Sequence, residues 1–330
     1  MINLSKAIRK QLTFMVVALA LSTNPSVTLA TQQDLLNFEA PTFGGKQVWQ
    51  DTFVYAGWRI QSNILTGHSR LLDPDDIRMA WGNDDHCKNE FDRLRKDLSI
   101  RPVSKHMVLM VHGIARSTGT FSKMKQELQV AGYDAVAISY PSTRRSIEDH
   151  ALALKHLLTR LEGTEMVSFV THSMGGIVLR HVLAGDQAWR QSVLLGSVIM
   201  IAPPNQGSAV ARVLKDVPYY KTIYGTPGQQ LVPDAVTDMP VPLDVEMTII
   251  AGGNKDGEGF NPFLDGDDDG TVKVSETVLD GTNQLFIVSD IHGTISNHPD
   301  TIDATLNVLK VGKLATSANV STNTARINND

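Results

Sequence analysis

The chain has 330 residues, 42% hydrophobic and 20% charged, a composition that supports a globular core and excludes a collagen-like or wholly disordered protein. Lysine and arginine number 30 against 35 aspartates and glutamates, a formal charge of −5, so the basic footprint of a nucleic-acid binder is missing. The single cysteine, Cys87, excludes an intrachain disulfide and a thiolate-rich metal site.

Residues 1–30 read as an export signal. Lys6, Arg9 and Lys10 precede the apolar run Leu12 to Leu21, Asn24-Pro25 breaks it, and Thr28-Leu29-Ala30 sets small residues at −3 and −1 of a cut after Ala30. Spanning hydrocarbon takes about 20 apolar residues, which this run does not supply. The mature chain is therefore expected to be periplasmic or secreted, with Cys87 a buried lone thiol.

Residues 31–105 are expected to form an N-terminal extension packed on the main domain. Trp49, Phe53, Tyr55, Trp58 and Ile60 cluster, and weak alternation over 51–55 predicts a strand or two. Phe91 to Leu98 has helical spacing. From residue 106 the pattern turns regular. Met107 to Val111 is a wholly apolar run, the mark of a strand buried on both faces. A helix is predicted over Phe121 to Ala131 and ends at Gly132. Then come a strand over Tyr133 to Ser139, a helix over Ile147 to Leu161, a strand over Met166 to Val170, and a helix over Ile177 to Leu183. Ser197 to Ala202, Glu246 to Ala251 and Leu285 to Val288 are further strands, Val272 to Leu279 is β-like, and Thr301 to Leu309 is a closing helix. Strands alternating with helices predict an α/β domain over residues 106–312, a mostly parallel sheet with helices on both faces. The polar tail over 313–330 is expected to be disordered.

Between the third strand and the next helix stands Thr171-His172-Ser173-Met174-Gly175-Gly176. A serine between a strand and a helix occupies a turn tight enough to expose its hydroxyl, and Gly175 and Gly176 let the helix approach the strand. The helix N-terminus aims its amides at the same place. On these residues the chain resembles the α/β-hydrolase family, and its bacterial lipases and esterases in particular. Thr171 stands where the family's G-x-S-x-G pattern has its first glycine, which predicts a more crowded elbow.

That resemblance implies Ser173 as nucleophile and, through the His112-Gly113-Ile114 turn, an oxyanion hole made of the backbone amides of Ile114 and Met174. It also implies the chain order serine, acid, histidine. Of the ten histidines only His292 and His298 follow a suitable acid. His292, in the loop after the last strand, is favoured as the base, and His298, just before Pro299, as a helix-start residue. Lipase-like members carry the acid in an acid–Gly–x–Val turn, which selects Asp269; Asp268 and Asp267 are the near alternatives and Asp256, also before a glycine, a distant one.

A competing pattern overlaps the acid. Asp265, Asp267, Asp269, Gly270 and Glu276 fit the spacing of a calcium-binding EF-hand loop, although neither flank reads as a helix. Residues 216–242 interrupt the α/β rhythm with five prolines and the cluster Tyr219, Tyr220, Ile223 and Tyr224, consistent with a lid over an acyl pocket or with a long loop. The expectation is an exported, cofactor-free serine hydrolase acting on carboxylic esters or lipids, with transient contact with a lipid interface. Acyl transfer or amide cleavage on the same triad, and a non-catalytic binding protein on the same fold, are the alternatives.

Overall fold

Apolar segments of the sequence become neighbouring strands because only a sheet buried on both faces satisfies both their side chains and their backbones. The computed structural model describes residues 40–41, 47–217, 219–242, 245–280 and 282–312. The export signal over 1–30 and the tail over 313–330 lie outside the described residues.

The central sheet contains β6 (His106–Val111), β7 (Asp134–Ile138), β8 (Met166–His172), β9 (Leu194–Ile201), β10 (Met247–Gly252) and β11 (Thr282–Val288), in the order β11-β10-β9-β8-β6-β7. Every neighbouring pair is parallel. Alternate residues of β6 feed opposite cores: Met107, Leu109 and Val111 face one, Val108 and Met110 the other. On the first face lie α3 (Ile147–Leu158) and α4 (Met174–Ala184), through Leu154, Leu157, Val178 and Val182. On the second lie α2 (Ser122–Val130), through Met124 and Leu128, and a helix over 299–312, through Ile302 and Leu309. The helix α3 begins at a capping box in which the Ser146 hydroxyl accepts from the Asp149 amide and the Asp149 carboxylate accepts from the Ser146 amide.

The N-terminal segment holds more than the one or two strands its weak alternation predicted. β1 (Ala40–Pro41), β2 (Trp49–Tyr55), β3 (Trp58–Asn63), β4 (Ser69–Leu72) and β5 (Ile77–Gly82) form an antiparallel sheet in the order β1-β5-β4-β3-β2. The helix α1 (Asp84–Asp97) covers it, setting Cys87 and Phe91 against Phe53, Tyr55 and Trp58. Burial pushes the Cys87 thiol up to about 12, so it is an unreactive packing residue. The strands hid from a period-2 reading because their buried face is partly polar. Gln61 donates to Asp51 at 2.7 Å, and Arg70 donates to Gln61 at 2.7 Å. Asp51 in turn ties this sheet to the end of β7, accepting from the Ser139 amide at 2.7 Å while its own amide donates to the Ser139 carbonyl at 2.9 Å.

Within residues 216–242, the segments 220–230 and 233–237 are helical. After α5 (Ala209–Leu214) come α6 (Tyr220–Gln230), kinked at Gly225, and α7 (Pro233–Thr237). They pack over the α3–α4 face through Tyr220, Leu231 and Val236. The β-like reading of 272–279 is corrected: Val274–Thr277 form a short helix, α8. The Glu276 carboxylate drives that turn by accepting the Lys273 amide at 3.0 Å and the Ala209 amide at 2.8 Å. Among the described residues no helix is long and apolar enough to cross a membrane.

Candidate active site

Ser173 follows the last residue of β8 and precedes the first of α4, with φ 54° and ψ −129°. A non-glycine residue there costs about 1–3 kcal/mol of strain, held by the packing around it. Its amide donates to the Ile201 carbonyl on β9 at 2.9 Å, pinning the turn to the sheet. The small neighbours are required. A Cβ at Gly175 would run into the Val111 carbonyl, and one at Gly176 would come within 2.9 Å of the Pro203 side chain and 3.3 Å of Thr171 Oγ1. A Cβ at Gly113 would approach Ser173 Cβ to 2.9 Å. The crowding expected from Thr171 is therefore absorbed by glycines on either side of the turn.

The loop after β11 brings His292 over this serine. His292 Nε2 lies 3.0 Å from Ser173 Oγ, and Nδ1 lies 2.6 Å from Asp269 Oδ2. With an ionised carboxylate on Nδ1, that nitrogen carries the proton and Nε2 is left to accept from the serine hydroxyl. Asp269 is held just as firmly: its other oxygen accepts the Thr271 and Val272 amides at 2.9 and 2.7 Å, and its carbonyl accepts the His292 amide at 2.8 Å. The carboxylate is fully buried, whereas the imidazole is 13% exposed, the asymmetry of an orienting group behind a working one.

The alternatives sit elsewhere. His298 Nδ1 accepts the Asp300 amide at 3.2 Å, at the start of the 299–312 helix. Asp268 accepts the Gly270 and Asn261 amides at 2.6 and 3.1 Å, Asp267 the Asn254 and Lys255 amides at 2.6 and 2.9 Å, and Asp256 the Glu258 amide at 2.8 Å. The same bonds dissolve the calcium-loop arrangement: Asp267, Asp269 and Glu276 point at different backbone amides. Among the described residues no group of His, Cys, Asp and Glu side chains converges as metal ligands. The residues do not fit that ion.

The expected oxyanion donors are Ile114 and Met174. Ile114 lines the same cavity as Ser173, and Met174 opens α4, where the first amides lack helical acceptors. Among the described residues no backbone acceptor takes up either amide. The cavity encloses about 410 Å³. Val210, Ala211, Leu214, Tyr220, Tyr224 and Leu231 give it an apolar lining, and the Gly113–Arg116 turn, Thr271, Val272 and His292 line it as well.

Two supporting residues escaped the sequence reading. His172 Nε2 donates to the His292 carbonyl at 2.9 Å, and burial holds its pKa well below the ordinary imidazole value, so the ring is neutral. The Tyr140 hydroxyl donates to the His112 carbonyl at 2.5 Å while its ring stacks on the His112 imidazole, centroids 4.3 Å apart. Position directly before the serine was the available signal for His172; Tyr140, at the end of another strand, carried none.

Comparison with known proteins places this geometry. A family model described as a domain of unknown function, DUF7379, matches residues 76–239, a span that contains Ser173 and stops short of Asp269 and His292. No protein of curated function matches the chain. Among solved structures, the Bacillus licheniformis lipase BlEst2 in mature form superposes with a TM-score of 0.53 at 22% identity, over 63% of this chain and 96% of that one. The propeptide form of the same lipase gives 0.51 at 21% identity, over 63% of this chain and 51% of that one. The protein has the α/β-hydrolase fold, with the antiparallel N-terminal sheet as an extension.

Proposed function

We propose that the protein is a serine hydrolase of carboxylic esters. One observation carries the reading: a serine in a strained strand-to-helix turn is bonded in series to His292 and Asp269, at 3.0 and 2.6 Å. In this reading Ser173 Oγ attacks the acyl carbon as its proton passes to His292 Nε2. The carbonyl oxygen becomes an oxyanion held by the Ile114 and Met174 amides, each donor worth about 3 kcal/mol in the transition state. Asp269 stabilises the imidazolium without taking its proton. His292 then protonates the departing alcohol, leaving an acyl-serine, and water activated by the same nitrogen releases the acid and restores Ser173. The apolar wall from α5 and α6 suits the acyl chain. Exposed Val213, Val217, Tyr219 and Ile223 beside it support transient contact with a lipid surface. The pattern over residues 1–30 supports export to the periplasm or outside, with cleavage after Ala30.

The test is covalent labelling of Ser173 by a fluorophosphonate probe, combined with hydrolysis of a chain-length series of nitrophenyl esters. Labelling that disappears in Ser173→Ala, and turnover that falls by about 10⁴ or more in His292→Ala, are expected. A folded protein that neither labels nor turns over any ester would leave only a binding role on this fold.

A further inference from the structure

We infer that Arg116 selects esters whose alcohol half carries an anionic group, phosphoryl or carboxylate; this rests on the serine-hydrolase reading above. Arg116 is the sole lysine or arginine among the residues lining the cavity, and no aspartate or glutamate lines it. The side chain is exposed, and among the described residues no carboxylate pairs with its guanidinium. A guanidinium with no carboxylate partner among the described residues, lining a cavity in a protein of net charge −5, has the capacity to bind an anion from solution.

Its placement is built rather than incidental. Ala115 adopts φ 54°, turning the chain sharply after Ile114. The Arg116 amide then donates to the Gly113 carbonyl at 3.3 Å, and Gln47 of the N-terminal extension donates to the Arg116 carbonyl at 3.5 Å. The side chain reaches across to the histidine loop, where a Cβ at Gly293 would begin 3.1 Å from Arg116 Nη2. The guanidinium thus lies over the residue that follows His292.

That position decides which half of the substrate it meets. His292 must protonate the leaving oxygen, so the alcohol half occupies the His292 side of the scissile bond. An anion on the alcohol lies within reach of Arg116, whose planar fork matches phosphate and carboxylate oxygens. A neutral alcohol gains nothing from it. The chemistry is unchanged ester hydrolysis: water adds across the acyl–oxygen bond, and the anionic alcohol leaves with the proton from His292.

The experiment compares kcat/KM for 1-butanoylglycerol, 1-butanoylglycerol 3-phosphate and butanoylglycolate, with wild type, Arg116→Gln and Arg116→Lys. Melting curves check that each variant is folded. Wild type is expected to prefer at least one anionic ester to the neutral one by about tenfold. The ratio should fall to about one in Arg116→Gln, keep an intermediate value in Arg116→Lys, and shrink in 0.5 M salt as screening demands. Whether the phosphate or the carboxylate ester is preferred identifies the anion. Turnover of the neutral ester with no anionic preference, or a preference that survives in Arg116→Gln, overturns the inference and leaves the hydrolase reading standing. No turnover of any ester, with no fluorophosphonate labelling of Ser173, overturns both.

Discussion

His172 supports the proposed base through the main chain of its loop. Its Nε2–H donates to the main-chain carbonyl of His292, and the two rings lie 4.7 Å apart. In the proposed mechanism a charged imidazole so close would repel the imidazolium formed on His292; burial keeps His172 neutral, so it offers a donor without that penalty. Removing the donor should loosen the base rather than the substrate. His172→Phe is expected to lower kcat about tenfold with KM changed by less than about twofold. His172→Gln, whose amide nitrogen can occupy the position of Nε2, should recover most of the loss. Equal losses in both variants, or a loss confined to KM, would assign His172 to packing alone. Of the site residues, Ser173 was legible because its neighbours are glycines at positions where any Cβ collides. Asp269 and His292 were legible only through the order and turn pattern of the resembled family. Nothing local separates Asp269 from Asp268: each accepts two backbone amides, and only the approach of the histidine loop distinguishes them.

At the scale of elements, the pocket depends on how α6 crosses the body of the fold. Its kink is at Gly225, φ 62° and ψ −157°, where a Cβ would run into the Thr143 carbonyl. Thr143 is itself fixed from the other side, its amide and hydroxyl donating to Gln47 Oε1 at 3.1 and 2.7 Å. The N-terminal extension therefore reaches the pocket wall through the Gln47 side chain. Gly225→Ala combines a left-handed backbone with a steric clash. It should destabilise the protein by about 1–3 kcal/mol and expose 216–242 to limited proteolysis before the rest of the chain. Cleavage spread evenly over the molecule, or an unchanged melting temperature, would contradict this account. The helices here were hard to read because Pro227 and Gly225 interrupt the local pattern. The helix α8 was unreadable for a different reason: its turn is fixed by a Glu276 carboxylate that also caps α5, far away in sequence.

For the whole molecule, buried imidazoles set an acid limit. Burial lowers His112 and His150 from 6.5 to about 4. The unfolded chain takes up these protons below pH 6.5 while the folded chain refuses them until about pH 4. Their stabilising contribution is therefore whole above pH 6.5 and declines as pH falls, by about 1.4 kcal/mol per pH unit for each proton. Asp51 and Glu276, raised by burial, act in the opposite sense, because the folded form binds their protons first. The contribution of one imidazole is isolated by substitution. Denaturant melts of His150→Leu between pH 6.5 and 4.5 should show a stability slope shallower than wild type by about one proton. An identical slope would show that His150 does not titrate in that window.

What the linear chain decided by itself is the pattern of burial. β6, β8 and β10 are buried almost from end to end and dominated by apolar residues because a parallel sheet covered on both sides leaves no wet face, and that demand is written residue by residue. The strand–serine–helix turn belongs to the same category, since its glycines answer clashes with near neighbours. Tertiary structure decided everything that joins distant segments. The N-terminal strands were hidden because Asp51, Gln61 and Arg70 satisfy one another across the sheet, so their polar side chains occupy core positions that composition assigns to solvent. The selection of Asp269 over its neighbours, the donation from His172 to His292, and the reach of Arg116 over Gly293 each need two segments that are separated in sequence to be brought together at one end of the sheet. Local sequence specifies what a residue can bury; only the folded chain specifies which partner it meets.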